Sequence, residues 1–391
     1  MMGKIPNHNE KLYLFEEKLG GIKMMYKKLK KLMAIGLAAV LTAGAVGCSN
    51  SSTDSQSGEP SSTPTESSTS ETAGGDNTEL KTVRIGAIGQ SNVLSDNAGI
   101  AQQKGYLEEE LRKEGYKAEI VGFAQAGPAI NEAFSAKEID MAVYGDLPAT
   151  ICKASGIDTT IFATDNAEMQ MCIFVKNDSN IASATDLKGH KVIVARGTIY
   201  HQYFKSLIAD AGISEDDLEQ INTFSDASSV IASGEADALI TSTSTGYYLE
   251  KQGIGKVVET TVDHPEWTSQ FFVVSNTQFL QDNPNAAKAF IRALLRAQIF
   301  AKEHPEEAYE AVASITEGYT ADIYENVYSY NTNFDYFSPA ISQAGIEKLK
   351  ALEQFLKDEA LISNSVDIDS FVDLSYYEKV VSDSNANITI E

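Results

Sequence analysis

The sequence predicts an α/β fold built as two successive lobes closed by a helical return. Three observations carry this. Short β-branched runs alternate with amphipathic stretches from residue 81 onward. The alternation restarts after an apolar run at residues 171–175, and beyond the apolar run at 271–275 the chain reads as helix nearly to its end. Alternating strand and helix signals imply a parallel or mixed sheet with right-handed crossovers.

In the first lobe, residues 82–88 form a β-branched run ending at Gly89, and 98–114 reads as one amphipathic helix stopped by Gly115. Strands are predicted at 118–123 and 139–144. Helices are predicted at 128–136, where Pro128 suits a first turn, and at 147–154, before Gly156. The second lobe repeats the scheme, with strands at 191–195, 220–223 and 238–241 and helices at 199–209, 227–233 and 245–252. The expected division is 81–174 plus 271–391 for lobe 1 and 175–270 for lobe 2, hinged near 174–176 and 268–272. In open α/β sheets ligands bind beyond the carboxyl ends of the strands, so a site is expected in the cleft between the lobes.

The 391-residue chain carries a formal charge of −24, and residues 1–47 contribute +5 from eight Lys and three Glu, leaving −24 − 5 = −29 on the rest. Nucleic-acid binding needs a basic footprint, which this composition lacks. The five His are scattered and there is no Cys-x-x-Cys, so neither a metal centre nor a cofactor is expected.

The N-terminal part reads as an export signal. A basic run at 26–31 precedes fifteen uncharged residues, 32–46, and then Gly47-Cys48. That apolar stretch is shorter than the roughly 20 residues of a membrane span. Ala45-Val46-Gly47-Cys48 resembles the lipobox of bacterial lipoproteins, which implies lipidation of Cys48 after removal of residues 1–47. Residues 1–23 fit nothing in this signal, so Met24 or Met25 is the expected start. From 49 to 78, Ser and Thr fill 16 of 30 positions, and no apolar residue larger than Ala occurs. Such a segment cannot offset its ordering entropy by burial, so 48–80 is expected to be a flexible tether. In an oxidising compartment Cys152 and Cys172 could pair. Cys152 reads as helical and Cys172 as mid-strand, with nothing to bring them together, so two buried thiols are expected.

Several strand ends run into helix starts through small or polar residues. They are Gln125-Ala126-Gly127 after the second strand, Gly145-Asp146 after the third, Gly197-Thr198 in the second lobe and Ser242-Thr243-Ser244 further on. Gln90-Ser91 follows the first strand. Helix N-termini expose unpaired N–H groups and partial positive charge, and Ser or Thr adds hydroxyl donors. An oxyanion can be held there without Lys or Arg. Each junction alone is equally an ordinary cap or turn. The aromatic residues Tyr324, Tyr328, Tyr330, Phe334, Tyr336 and Phe337 could recognise a ring but are read as packing of the helical return. Trp267 either lines the cleft or packs the hinge, and Asp165, Asn166 and Glu168, just before the crossover strand where a ligand could reach them, are read as solvated loop residues.

Residues 126–134 (AGPAINEAF) and 139–149 (IDMAVYGDLPA) resemble the sulfonate, nitrate and taurine family of ABC-importer binding proteins. So do 184–192 (ATDLKGHKV), Arg196-Gly197-Thr198 and 227–238. The resemblance runs through nearly all of 82–280. It implies a type II periplasmic-binding-protein fold without catalysis, working as a monomer held at the extracytoplasmic face of the membrane by its lipid. It also implies a small-molecule ligand, an ABC permease and ATPase as partners, and ligand contacts at Gln125, Gly127, Gly145, Asp146, Gly197 and Thr198. Gln90, Ser91, Ser242 and Thr243 join these as candidates from the junctions themselves. Where the family often has Trp-Asp-Pro, this chain has Ser242-Thr243-Ser244, which replaces an aromatic wall and a carboxylate by hydroxyls. A sulfonate-like anion, a pyrimidine precursor and another heterocycle all remain open as ligands. So does a sensory role, and so does kinship with pyrimidine-precursor synthases, although the iron-binding cysteine motif of those enzymes is missing from this sequence.

Overall fold

A computed structural model describes residues 79–383. The expected export signal, Cys48 and the expected tether up to residue 78 lie outside the described residues.

Strand β1 (Lys81–Ile88) leads into helices α1 (Asp96–Gln103) and α2 (Tyr106–Lys113). One helix was expected here. The chain breaks at Gly105, whose φ of 76° lies in the left-handed region that only glycine enters without strain. Strand β2 (Tyr116–Phe123), helix α3 (Ala126–Ala136), strand β3 (Met141–Gly145) and helix α4 (Asp146–Ala154) follow. Next comes β4 (Thr159–Met169), an eleven-residue strand not anticipated from the sequence. Only Gln170 separates it from β5 (Met171–Lys176).

The second set of elements is β6 (Lys191–Ile193), α5 (Ile199–Asp210), β7 (Glu219–Ile221), α6 (Ala227–Ser233), β8 (Ala238–Ser242), α7 (Thr243–Lys251) and β9 (Gly255–Thr260). Strand β10 (Ser269–Asn276) returns to the first set. The helices α8 (Thr277–Asp282), α9 (Pro284–Glu303), α10 (Pro305–Ala313), α11 (Ala321–Tyr328), α12 (Gln343–Asp358), α13 (Ile368–Phe371) and α14 (Ser375–Asp383) complete the described chain.

Two five-stranded sheets result, ordered β2-β1-β3-β10-β4 and β7-β6-β8-β5-β9. Both are mixed. β1 runs parallel to β2 and β3, while β10 is antiparallel to β3 and β4. β6 runs parallel to β7 and β8, while β5 is antiparallel to β8 and β9. All of β5 from Met171 onward pairs in the second sheet, so the first crossover is Gln170 itself, upstream of residue 174. The physical reason is the ladder from Met171↔Ser242 to Val175↔Ala238, which claims the whole apolar run. The return crossover is residues 261–268.

Helix α9 fills the centre of the first unit. Its buried face, including Phe290, Ile291, Leu294 and Ala297, packs with Val83, Ile85 and Phe162 of the sheet and with Tyr328, Phe334, Tyr336 and Phe337 of the helical return. The return is thus a structural layer of the first unit, and most of the aromatic cluster is core. Trp267 packs at the return crossover, stacked on His264 at 3.9 Å and tilted against Tyr203 at 6.3 Å. Cys152 and Cys172 are both buried free thiols.

Candidate functional site

Most of the junction residues expected to line the cleft are engaged in packing. Gln90 and Ser91 are exposed on the loop after β1. Gln125 is also exposed, and its amide donates to the Ser225 hydroxyl at 3.4 Å, joining the two units. Gly127 is buried against Pro148 of α4. Gly145 faces the second unit. A Cβ built there would stand 2.5 Å from Cγ2 of Ile199, so only glycine admits this approach. Gly197 lies beside Pro128, and the Thr198 hydroxyl caps α5 by accepting from the Tyr200 N–H at 3.2 Å. Asp146 is 3% exposed, and its carboxylate accepts from the backbone N–H of Gln270 at 3.0 Å and of Leu147 at 2.9 Å. Burial raises its pKa to about 6 despite those bonds. It ties the start of β10 to the end of β3, a fastening at the return crossover.

This packing carries a prediction. Gly145→Val is expected to cost about 1–3 kcal/mol and to hold the two units further apart, because Ile199 occupies the space the new side chain needs. Solution scattering should read a larger radius of gyration than for the parent protein.

The cavity lies elsewhere along the boundary. Its volume is about 70 Å³, and both units line it. Ser242, Thr243 and Ser244 come from the start of α7 in the second unit. Ser95 and Asp96 come from the start of α1, Asn166, Glu168, Met169 and Gln170 from the end of β4 and the crossover, and Val312, Tyr324, Val327 and Tyr328 from α10 and α11. Of the ten ligand contacts expected, Ser242 and Thr243 are the two that reach it. Ser242 caps α7, its hydroxyl accepting from the Thr245 N–H at 3.2 Å. The Thr243 N–H donates to the Gln170 carbonyl at 3.1 Å, and Gln170 accepts from the Thr261 hydroxyl at 2.7 Å, so both crossovers are fastened beside the cavity.

The expectation that Asp165 and Asn166 are solvated loop residues is overturned. Both lie on β4 and are buried, at 0% and 2% exposure. Asp96 faces them from α1 with a φ of 51°, a left-handed conformation uncommon outside glycine, though Asp enters it more readily than most residues. Its Oδ1 accepts from the Tyr328 hydroxyl at 2.8 Å and from the Asn166 amide at 3.0 Å. Asp165 Oδ1 accepts from the Ala98 N–H at 2.7 Å, while its Oδ2 is buried with no partner. Burial raises the pKa of both carboxyls, and the Asp96 charge raises that of Asp165 further. Burial likewise pushes the Tyr324 and Tyr328 hydroxyls up, so both stay neutral donors. No Lys, Arg or His lines the cavity. Among the described residues there is no group of acidic, His and Cys side chains arranged to hold a metal ion. The local sequence offered one signal for Asp96, a Ser-Asp-Asn start before a helix, which reads as a cap in isolation.

A two-sheet architecture with a cavity at its double crossover invites comparison with known proteins. The model of the family described as NMT1/THI5 like matches residues 95–308, more than half the chain. The protein is a member of the NMT1/THI5-like family. A Bacillus subtilis (strain 168) protein named "Putative aliphatic sulfonates-binding protein" is 26% identical over 317 residues, 80% of this chain and 92% of that one. A Haemophilus influenzae protein named "Putative thiamine biosynthesis protein" is 24% identical over 70% of this chain and 86% of that one. Among solved structures, a "putative sulfonate ABC transporter, periplasmic sulfonate-binding protein SsuA" from Methylobacillus flagellatus KT superposes with a TM-score of 0.65 at 25% identity, covering 78% of this chain and 95% of that one. The NMT1/THI5-like chain therefore has the periplasmic-binding-protein fold its sequence predicts.

Proposed function

We propose that this protein is the extracytoplasmic solute-binding component of an ABC importer. It captures a small molecule between its two units and hands it to a permease driven by an ATPase. The observation that carries this reading is the cavity at the double crossover, lined from both units and bordered by the strands that connect them. A ligand seated there touches the second unit at Ser242–Ser244 and the first at α1, β4 and α11, so it favours the arrangement in which the units meet. The names of the relatives support sulfonate as one cargo, which the hydroxyls and N-terminus of α7 suit. A heterocycle is the second reading, favoured by Tyr324 and Tyr328 on the cavity wall. The protein binds and does not catalyse. It works as a monomer, held to the membrane by lipid on Cys48 and its Ser/Thr-rich tether.

A thermal-shift screen of the protein against small sulfonates, nitrate, amines and heterocycles tests this. A cargo present at a hundred times its Kd should add about 2.7 kcal/mol of stability. The absence of any stabilising compound would count against a binding role.

A further inference from the structure

The cavity's electrostatics go further than the cargo names of the relatives. We propose that the part of the ligand held between Asp96 and the α11 tyrosines is a protonated nitrogen, carried by an amine, amidine or amino-heterocycle. This rests on the solute-binding reading above and deepens it.

Four observations converge. First, Asp96 borders the cavity at 6% exposure and Asp165 lies close behind it at 0%. Two carboxylates this near each other without a compensating cation repel, and burial removes the water that would screen them. Second, no Lys, Arg or His acts on either carboxylate; the buried Lys348 of α12 feels the charges of Asp146, Glu168 and Glu266 and not theirs. The groups that face the pair are Ser95 and Ala98 of the α1 region, Asn166 of β4 and Tyr328 of α11. Tyr324, Tyr330 and Tyr336 are near enough to feel the Asp96 charge, and Glu168 adds a further acid near Tyr330 and Tyr336. Third, Asp165 Oδ2 is a buried acceptor with no partner, and such an atom is costly to leave unmet. Fourth, the volume of about 70 Å³ is roughly half the ~150 Å³ of an apolar cavity that holds benzene. It suits a head group the size of an ammonium or amidinium, with any larger body extending along the boundary between the units.

A sulfonate head in this position would add a negative charge beside two buried acids and oppose their ionisation. A cation instead favours the ionised form of the acid it pairs with and can lie against the tyrosine faces, which attract positive charge. Binding should therefore release protons when the solution pH is below the raised carboxyl pKa values, and affinity should climb with pH. The start of α7 opposite stays free for an anionic or polar group elsewhere on the same ligand.

Calorimetric titration of the whole mature protein tests the proposal, with acetamidinium and methylammonium chlorides as probes against sodium methanesulfonate at equal ionic strength. The cations should bind at pH 8, weaken up to about tenfold per pH unit toward pH 5, and release protons, read as heats that vary with buffer ionisation. D165N and D96N, first checked for parental circular dichroism, should weaken cation binding at least about tenfold. In a variant that fails this check, the proton release of the parent protein still decides. Saturable methanesulfonate binding displaced by neither cation would overturn the proposal and leave the solute-binding reading standing. Binding of none of the probes, in a protein that the thermal-shift screen shows to bind another compound, would also overturn it. No binding in either experiment would remove both readings.

Discussion

Arg296→Met is expected to destabilise the protein by about 3 kcal/mol, read from the midpoint of urea denaturation. The side chain is 4% exposed, and its Nη1 donates to Glu109 and to Glu110, each at 2.9 Å. Its guanidinium carbon lies 4.2 Å from the centre of the Tyr106 ring. Glu110 is itself buried, and it accepts from Arg292 at 2.8 Å and Lys113 at 2.9 Å. Those two partners keep the loss at the low end of the roughly 3–5 kcal/mol typical of breaking a buried pair. The cluster joins α9 to α2, and α2 follows α1, so the helix that presents Asp96 depends on it. Replacing Glu110 by Leu together with Arg296→Met should recover part of the loss, because the double change leaves no carboxylate buried at position 110.

Asp165→Asn is expected to act in the opposite direction and to raise stability at pH 8 by roughly 1–3 kcal/mol. The folded protein holds the carboxyl pKa values of both Asp165 and Asp96 above their ordinary range, through burial and, for Asp165, the Asp96 charge. The unfolded chain ionises them near pH 4, so over the interval above that the folded state binds more protons than the unfolded one. Stability from this pair is fully present below about pH 4 and is lost as pH rises. The tyrosines and Glu168 that surround the pair supply no offsetting positive charge. The advantage of the Asn variant should therefore shrink between pH 8 and pH 5 and vanish near pH 4, in thermal melts at each pH. A protein that keeps a destabilising acid pair beside its cavity, while an isosteric amide would relieve it, is paying stability for what the pair binds.

The architecture was legible because its cues are local. β-Branched runs bounded by Gly marked most strands, and the restart after residue 175 marked the second sheet. Strands β4 and β9 were not anticipated. β4 buries Thr159, Thr160, Thr164, Asp165 and Asn166, so its polar composition disguises a buried position. That disguise also hid the site, since Asp165 and Asn166 look solvated when read alone. Asp96 becomes a cavity residue only because α11, some 230 positions away in sequence, brings Tyr328 to it. The junctions at Gly127, Gly145 and Gly197 are close-approach points, but what approaches is protein: Pro148 of the same unit at Gly127, and Ile199 and Pro128 across the boundary at Gly145 and Gly197. Gly and small caps serve both purposes, and sequence spacing does not separate a backbone that contacts a ligand from one that contacts Pro148 or Ile199.

A ligand seated between the two units should hold them together across the crossovers. Trp267 reports on this directly, as the single tryptophan in the chain, stacked on His264 within the return crossover. Its fluorescence should be followed while the strongest stabilising compound is titrated into the parent protein and into Gly145→Val. A saturable spectral change is expected in the parent, with a midpoint shifted to higher concentration in the variant whose units are wedged apart. An unchanged Trp267 spectrum at saturating compound, or equal midpoints for the two proteins, would contradict it.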